Sequence, residues 1–244
     1  MSNGKSFLVD LTKCTACRGC QIACKQWKKL PAEKTKNTGT HQNPPDFSYN
    51  TLRVVRFSEK EVNGKIQWFF TPDQCRHCLE APCKTATNDP GAIIIDEQTG
   101  AVVYTEKTAK ESYDAVQGIC PYNVPRMDKK TKIMRKCDMC IDRVKAGKLP
   151  ACVASCPTGC MNFGDRDAML KLADERLAEV KKKHPKAQLV DADTVRVIFL
   201  TEDNPTLYAT NLMADADATP AGRGGYTRQE LFARLAKPVK NVLG

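Results

Sequence analysis

The spacing of the cysteines limits the fold of this chain more than any other feature. Thirteen cysteines occur in 244 residues, and all but one fall into four groups. The groups are Cys14, Cys17, Cys20 and Cys24; then Cys75, Cys78 and Cys83; then Cys120 alone; then Cys137, Cys140, Cys152 and Cys156. A C-x2-C-x2-C run forms a tight loop that turns several sulfurs toward one point. The pattern therefore indicates 4Fe–4S clusters.

The spacing also predicts which cysteines share a cluster. In two-cluster ferredoxins, the fourth cysteine of such a run ligates the neighbouring cluster. The same exchange of the fourth cysteine between neighbouring clusters predicts three complete sites in this chain. Cys160 is assigned to none of them. Site 1 comprises Cys14, Cys17, Cys20 and Cys156; site 2 comprises Cys24, Cys137, Cys140 and Cys152; site 3 comprises Cys75, Cys78, Cys83 and Cys120.

A fourth cluster site lacks all four of its cysteines. It would require thiols at four positions that hold other residues, namely Thr87, Lys110, Tyr113 and Val116. Random loss of cysteines would leave several sites half built, whereas here one is empty and three are full. We therefore predict three 4Fe–4S clusters, with the twelve cysteines of sites 1 to 3 as iron ligands.

Two other interpretations of the cysteines remain open on the residues alone. Zinc favours pairs of C-x2-4-C motifs or mixed Cys/His sets, and this chain has three histidines. A disulfide framework is typical of short secreted chains with an even number of cysteines. A zinc-stabilised interaction module is the main alternative from a different functional class.

Two residues near the cysteine groups have alternative roles. We interpret Cys160 as a small buried side chain rather than a ligand, because free cysteine packs as a hydrophobic residue. His77 lies between two ligands of site 3. We expect it to hydrogen-bond a sulfur or to lie at the surface rather than to bind iron, since the thiolates already complete that site.

The formal charge of +10 raises the possibility of nucleic-acid binding. Each oxidised cluster with four thiolates contributes a charge of about −2, so three clusters reduce the net charge to roughly +4. We expect a solvated basic surface near acidic clusters, with phosphate or membrane-surface binding as the alternative. The sequence shows no Walker motif, dinucleotide glycine motif or acyl-transfer triad.

Strand and helix patterns surround the cysteine groups. Hairpins are predicted around Asn63-Gly64 and Thr99-Gly100, and a strand over 195–200. A helix is expected over 168–183 with Asp165 as its N-cap, and a last helix after Thr227 with Leu231, Phe232 and Leu235 on its apolar face. No apolar run approaches the length of a membrane span and no signal peptide is recognised, which by itself would suggest the cytoplasm.

Four segments resemble the iron–sulfur subunits of molybdopterin oxidoreductases. They are C-T-A-C-R-G-C-Q-I-A-C-K-Q-W at 14–27, C-P-Y-N-V-P-R at 120–126, K-C-D-M-C at 136–140 and A-C-V-A-S-C-P-T-G at 151–159. Within that family the chain resembles the beta subunits of soluble formate dehydrogenases of sulfate-reducing bacteria. The segments 41–46, 74–78 and 231–235 support this narrower match.

The resemblance implies an α+β fold with two interleaved bacterial-ferredoxin-like domains. Residues 1–30 and 126–165 would form a domain with two clusters, and 72–125 a second domain with one cluster and one vacated site. Residues 31–71 would be an insertion carrying a β-hairpin, and 166–244 a C-terminal extension of helix and strand.

The resemblance also implies a role in electron transfer, with no catalytic residues on this chain. A large alpha subunit would carry a tungsten or molybdenum bis-pterin centre and oxidise formate. Site 1 would face that subunit, site 2 would be the middle cluster and site 3 the exit toward a soluble c-type cytochrome. The complex would be periplasmic, exported with the alpha subunit. The alternative is the equivalent subunit of a sulfur-compound or sulfoxide reductase.

Overall fold

The structure is a computed structural model and describes residues 3–214. Short helices and small sheets alternate along this part of the chain. The strands are β1 (Lys5–Asp10), β2 (Val54–Val62), β3 (Lys65–Asp73), β4 (Ile93–Ile95), β5 (Val102–Tyr104), β6 (Arg126–Met127), β7 (Met134–Arg135), β8 (Met161–Asp165), β9 (Gln188–Val190) and β10 (Val197–Thr201). The α-helices are α1 (Gly19–Trp27), α2 (Pro82–Thr85), α3 (Tyr113–Gly118), α4 (Ile141–Lys145), α5 (Ala151–Ala154) and α6 (Arg166–Lys181).

A four-stranded sheet of order β8-β1-β10-β9 lies at the centre. β1 runs parallel to β10 and antiparallel to β8, and its residues 7–9 are fully buried. Alternate side chains of a strand point to opposite faces, so a strand buried throughout is covered on both sides. Leu8 packs with Ile198 and Ala173 on the side of α6, whereas Phe7 and Val9 pack on the side of site 1.

Both predicted hairpins are present. β2 and β3 pair antiparallel across Asn63 and Gly64, whose φ angles are 54° and 73°. A type I′ turn requires positive φ at both central positions, which explains the Asn-Gly pair. β4 and β5 pair across the turn that contains Gly100. The mixture of short helices and small sheets confirms the predicted α+β, ferredoxin-like class.

The helix predicted over 168–183 is present as α6, and Asp165 holds the predicted N-cap position without acting as a capping side chain. Asp165 precedes α6, which begins at Arg166, but its side chain makes no capping hydrogen bond. The carboxylate pairs instead with the Lys5 ammonium at 2.7 Å, because the pairing of β8 with β1 brings the two residues side by side. The expected last helix after Thr227 lies outside the described residues.

The central sheet joins segments that are far apart in the sequence. β1 belongs to the first predicted domain segment and β10 to the predicted C-terminal extension, yet they are neighbouring parallel strands. The predicted domain boundaries themselves stay a prediction. Within residues 3–214 the structure contains no helix with the length and apolar character needed to cross a bilayer.

Candidate iron–sulfur centres

The thiols of site 1 line one cavity. Cys14, Cys17, Cys20 and Cys156 all contribute to its wall, together with Cys160. Cys17 is exposed to solvent, whereas Cys20 is buried. Site 1 is therefore open to the protein surface on the side of Cys17.

The thiols of site 2 come together in the interior. All four, Cys24, Cys137, Cys140 and Cys152, are buried. Burial, with a smaller contribution from the nearby thiols of Cys152 and Cys140, raises the pKa of Cys24 to about 12. Burial and the thiol of Cys152 likewise raise the pKa of Cys140, to about 11. Such a group of thiols is costly to ionise without a positive partner, and bound iron supplies one.

Site 3 is built in the same way from two distant segments. Burial raises the pKa of Cys120 to about 12, with contributions from the thiols of Cys83 and Cys75. The pKa of Cys78 is well above its ordinary value because of burial and the other three thiols of the site. The structure thus brings all four predicted ligands of site 3 together, although Cys120 follows Cys83 by 37 positions.

Neighbouring sites also interact electrostatically. The thiol of Cys152 in site 2 raises the pKa of Cys20 in site 1, whose largest shift comes from burial. The thiol of Cys75 in site 3 similarly contributes to the raised pKa of Cys137 in site 2, after burial and closer charges. Site 2 therefore lies beside both of the other sites.

Two short helices explain how ligands are exchanged between sites 1 and 2. Residues four positions apart lie on the same face of a helix, one turn apart. On α1 this places Cys20 in site 1 and Cys24 in site 2. On α5, which packs against α1, Cys152 belongs to site 2 and Cys156 follows one turn later in site 1.

Left-handed backbone conformations shape the cluster loops. Ala16, His77 and Met139 each lie two residues after the first cysteine of a loop and have φ of 55°, 48° and 64°. In this conformation the backbone N–H turns back toward the cysteine sulfur. The N–H groups of His77 and Met139 donate to the sulfurs of Cys75 and Cys137, each at 3.4 Å. Such hydrogen bonds to sulfur tune the reduction potential of a bound cluster.

Two buried donors at the sites have no partner among the described residues. They are the His77 Nε2, buried in the site 3 loop, and the Gln74 amide nitrogen, buried close to Cys137; the Tyr104 hydroxyl is buried against the Cys83 sulfur. A buried polar group without a hydrogen bond costs about 1–3 kcal/mol. Cluster sulfurs would provide acceptors for such groups, so these residues fit a bound 4Fe–4S group.

The donor sets do not match a single metal ion. In a zinc site, four ligands converge on one ion with Zn–S distances of about 2.3 Å. Within residues 3–214, no three His, Cys, Asp or Glu side chains lie close enough to hold one ion. The thiols of each site are therefore spread more widely than the ligands of a mononuclear centre.

The structure resolves the position of His77. Of the two roles expected for it, a hydrogen bond to sulfur is present, through its backbone N–H to Cys75, whereas a surface position is excluded because the side chain is fully buried. Its Nδ1 accepts a hydrogen bond from the Val102 N–H at 3.0 Å, which joins the site 3 loop to β5. Burial, with nearby Lys136 and Arg196, holds the pKa of His77 well below its ordinary value, so the ring is neutral.

Cys160 is buried, as expected, with 2% of its surface exposed. It packs in the apolar core with Phe7 and Val9. It also lies against Cys14 and Cys156, and its thiol lowers the pKa of Cys156 to about 4 by donating a hydrogen bond. Cys160 is thus a core residue that touches two predicted ligands of site 1.

The positions of the missing fourth site are filled by other side chains. Val116 on α3 is fully buried in an apolar cluster with Cys83, Ile93, Val102 and Met134. The Thr87 hydroxyl donates to the Lys84 carbonyl at 2.8 Å, and Lys110 is exposed. The Tyr113 hydroxyl donates to the Pro125 carbonyl at 3.3 Å.

Sequence reasoning missed two cations at the centre of the sites. Arg53 and Lys136 are 2% and 5% exposed, and both lie among cysteine thiols. Lys136 directly precedes the Cys137-x2-Cys140 pair, and this adjacency could have identified it. Arg53 carries no such signal, because its burial depends on the contact of β2 with α1 through Val55 and Gln21.

Comparisons with known proteins agree with this chemistry. A 4Fe-4S dicluster domain matches residues 66–166. Formate dehydrogenase subunit beta of Megalodesulfovibrio gigas is 56% identical over 207 residues, which cover 84% of this chain and 96% of that protein. Formate dehydrogenase 2 subunit beta (cytochrome c-553) of Nitratidesulfovibrio vulgaris is 54% identical over 210 residues, with coverage of 84% and 96%.

A more distant relative extends the match. The formate dehydrogenase-O iron-sulfur subunit of Escherichia coli is 37% identical over 207 residues, which cover 82% of this chain and 68% of that protein. The matched relatives share the iron–sulfur subunit role, which confirms the family expected from the cysteine motifs. The chain therefore belongs to the iron–sulfur beta subunits of formate dehydrogenases, the electron-transfer subunits of an oxidoreductase complex.

Proposed function

We propose that this chain holds three 4Fe–4S clusters and passes electrons from a formate-oxidising catalytic subunit to a c-type cytochrome. The observation that carries the proposal is the grouping of twelve thiols into three sets, with site 2 beside both site 1 and site 3. A 4Fe–4S cluster supplies a one-electron carrier at each set. The protein holds the carriers in a row through the pairing of α1 with α5 and the loops around sites 2 and 3.

The apolar packing around Val116 supports a count of three. If a fourth cluster were bound, four thiols and space for the cluster would be needed between α2 and α3. That space holds the side chains of Val116, Ile93 and Met134, which are at most 1% exposed. We therefore expect the clusters of sites 1 to 3 to account for all the iron that this chain binds.

The exposure of the cysteines supports an order of transfer from site 1 to site 2 to site 3. Site 2 is buried on all four ligands, as expected for an intermediate carrier. Site 1 reaches the surface at Cys17, where a partner subunit can approach closely. Site 3 has two partly exposed ligands, Cys78 and Cys120, which suit an exit.

The proposed acceptor is a soluble c-type cytochrome. The support is the name of the relative from N. vulgaris, which includes cytochrome c-553. The proposal includes a periplasmic complex in which the catalytic subunit, with its tungsten or molybdenum pterin centre, provides the export signal for both chains. Fractionation of cells and immunodetection of this chain tests that location, and recovery with cytoplasmic markers would contradict it.

The experiment for the function uses the purified two-subunit complex. Formate is added under argon, and reduction of a viologen dye is compared with reduction of a c-type cytochrome. We expect Cys120→Ser to slow cytochrome reduction severalfold while formate oxidation with viologen continues, because viologen can accept electrons upstream of site 3. Equal rates of cytochrome reduction in the wild type and the variant would contradict an exit through site 3.

A further inference from the structure

Two buried cations alternate with the three thiol sites. Arg53 interacts with thiols of both site 1 and site 2, and Lys136 interacts with thiols of both site 2 and site 3. Neither has a carboxylate within salt-bridge distance among residues 3–214. In contrast, the equally buried Arg76 pairs with Asp73 at 2.5 Å. An unpaired buried charge is strongly destabilising, so each of these two cations requires a negative partner other than a carboxylate.

The contacts of Arg53 leave the thiols as that partner. Its Nη1 donates to the Pro72 carbonyl at 3.0 Å, and its Nη2 donates to the Gln74 side-chain oxygen. Both acceptors are neutral. The groups around its guanidinium that become anionic when iron is bound are the thiols of one cysteine of site 1 and three of site 2, namely Cys20, Cys24, Cys137 and Cys152.

Lys136 repeats the arrangement one site further on. Its Nζ donates to the carbonyls of Val102 at 2.5 Å and of Cys137 at 3.0 Å. The groups that favour its charge most are the thiols of Cys75 and Cys83 in site 3 and of Cys137 in site 2, which are thiolates when iron is bound, with a smaller contribution from the Asp138 carboxylate. The order through the protein is therefore site 1, Arg53, site 2, Lys136, site 3.

Fixed positive charge between the carriers has a definite electrostatic effect. Each oxidised cluster with its thiolates carries about −2 and gains a further negative charge on reduction. A nearby cation stabilises the more negative form, and the stabilisation is large where water is excluded. All four ligands of site 2 are buried, and burial alone would make its cluster the hardest of the three to reduce. The cation on each side of site 2 opposes this effect.

We propose that Arg53 and Lys136 raise the reduction potentials of the clusters they adjoin, and that together they keep the middle cluster reducible. The inference rests on the proposed three-cluster function. It assigns each cation to a particular pair of clusters. Arg53 acts on the clusters of sites 1 and 2, and Lys136 acts on those of sites 2 and 3.

The test is a redox titration of the two-subunit complex followed by electron paramagnetic resonance. The neutral variants are Arg53→Met and Lys136→Met, and the matched control is Lys60→Met on the exposed part of β2. Signals are assigned to sites with ligand variants such as Cys120→Ser. Iron and acid-labile sulfide are measured first in every sample. Wild-type protein without three clusters would contradict the proposed function, irrespective of the cations.

With the clusters present, each neutral variant is expected to lower specific midpoint potentials. Lys136→Met lowers those of sites 2 and 3 and leaves site 1 unchanged, and Arg53→Met lowers those of sites 1 and 2 and leaves site 3 unchanged. The expected reduction in the equilibrium constant for electron uptake is about tenfold, which equals about 59 mV for one electron. Unchanged potentials, or the same shift in Lys60→Met, would overturn the proposal.

Charge-conserving variants separate tuning from a structural role. Arg53→Lys and Lys136→Arg are expected to keep wild-type potentials within a few-fold in the equilibrium constant. If the Met variants lose their clusters, Arg53→Gln and Lys136→Gln are titrated instead, since glutamine retains a hydrogen-bond donor. Loss of clusters from all four neutral variants, with full loading of the charge-conserving pair, would contradict tuning and assign the cations to assembly.

Discussion

At the scale of single residues, the cluster sites are defined by backbone conformation as much as by sulfur. Ala16, His77 and Met139 take left-handed conformations that non-glycine residues rarely adopt. The conformation turns the N–H of His77 and that of Met139 toward a cysteine sulfur. Because thiolate sulfur accepts these hydrogen bonds, the strained loops are consistent with ligands that are ionised when iron is bound.

Replacing Cys120 tests whether this cysteine completes site 3 together with the distant segment that carries the other ligands of the site. In Cys120→Ser we expect altered or lost signals from the site 3 cluster and a decrease of up to about four irons per chain. Sites 1 and 2 should keep their signals, since Cys120 lies with the other thiols of site 3, those of Cys75, Cys78 and Cys83. Loss of the site 1 cluster in place of the site 3 cluster would refute the pairing.

Substitution of Cys160 is the matched control for the Cys120 variant, because Cys160 is a cysteine that is not a predicted iron ligand. Cys160→Ala should retain full iron and sulfide content, because Cys14, Cys17, Cys20 and Cys156 already complete site 1. It removes a buried thiol from the core, so we expect a modest loss of stability of about 1 kcal/mol. Iron analysis with paramagnetic resonance checks the first result and thermal unfolding the second. A protein that loses the site 1 cluster would make Cys160 a ligand.

The residues that could be predicted from the sequence are those set by local spacing. Cysteines separated by two residues share a loop, and cysteines four apart share a helix face, so the ligand sets follow from nearby residues. Arg53 could not be found in this way. Its surroundings come from Pro72, Gln74 and Met161, which are distant in the sequence and meet only in the folded chain.

At the scale of elements, the central sheet divides the packing around site 1 from the packing around α6. Phe7 and Phe199 face the side that holds Cys20 and Cys160, whereas Leu8 and Ile198 face α6. The two faces alternate along β1 and β10 because successive strand residues point in opposite directions. Stability and cluster binding can therefore be perturbed separately on the two sides of one strand.

Ile198→Ala tests this separation. A large-to-small substitution at a fully buried aliphatic position costs about 2–5 kcal/mol. For a chain of this size the melting temperature should decrease by roughly 4–20 °C. The iron content should remain at the wild-type level, because Ile198 faces α6. Ile94→Ala is the control, since Ile94 is 40% exposed and should change little; equal destabilisation in both variants would contradict the assignment of faces.

The helix pairs show how one site could be lost without disturbing its neighbours. On α2 and just beyond it, Cys83 and Thr87 correspond in spacing to Cys20 and Cys24. On α3 and beyond it, Val116 and Cys120 correspond to Cys152 and Cys156. Thr87 and Val116 thus occupy two of the four ligand positions of the vacated site, while Cys83 and Cys120 remain ligands of site 3. The sequence predicted this substitution because the spacing of four residues is retained.

At the scale of the whole molecule, the C-terminal part of the described chain joins the regions of sites 1 and 3. β10 pairs with β1, which leads into the site 1 loop. Just before β10, the Arg196 N–H donates to the Arg76 carbonyl at 3.1 Å, and the Leu79 N–H donates to the Thr194 carbonyl at 2.9 Å. The strand over 195–200 was predicted, but its partners were not, because pairing between distant segments leaves no local pattern.

The central claim is that this chain carries three 4Fe–4S clusters in the sites formed by twelve of its cysteines. Native mass spectrometry of the chain released from the intact complex, combined with iron and sulfide assays, tests it most directly. We predict a mass increase equal to three clusters, with about twelve irons and about twelve sulfides per chain. A mass corresponding to two or four clusters, or zinc without sulfide, would contradict it.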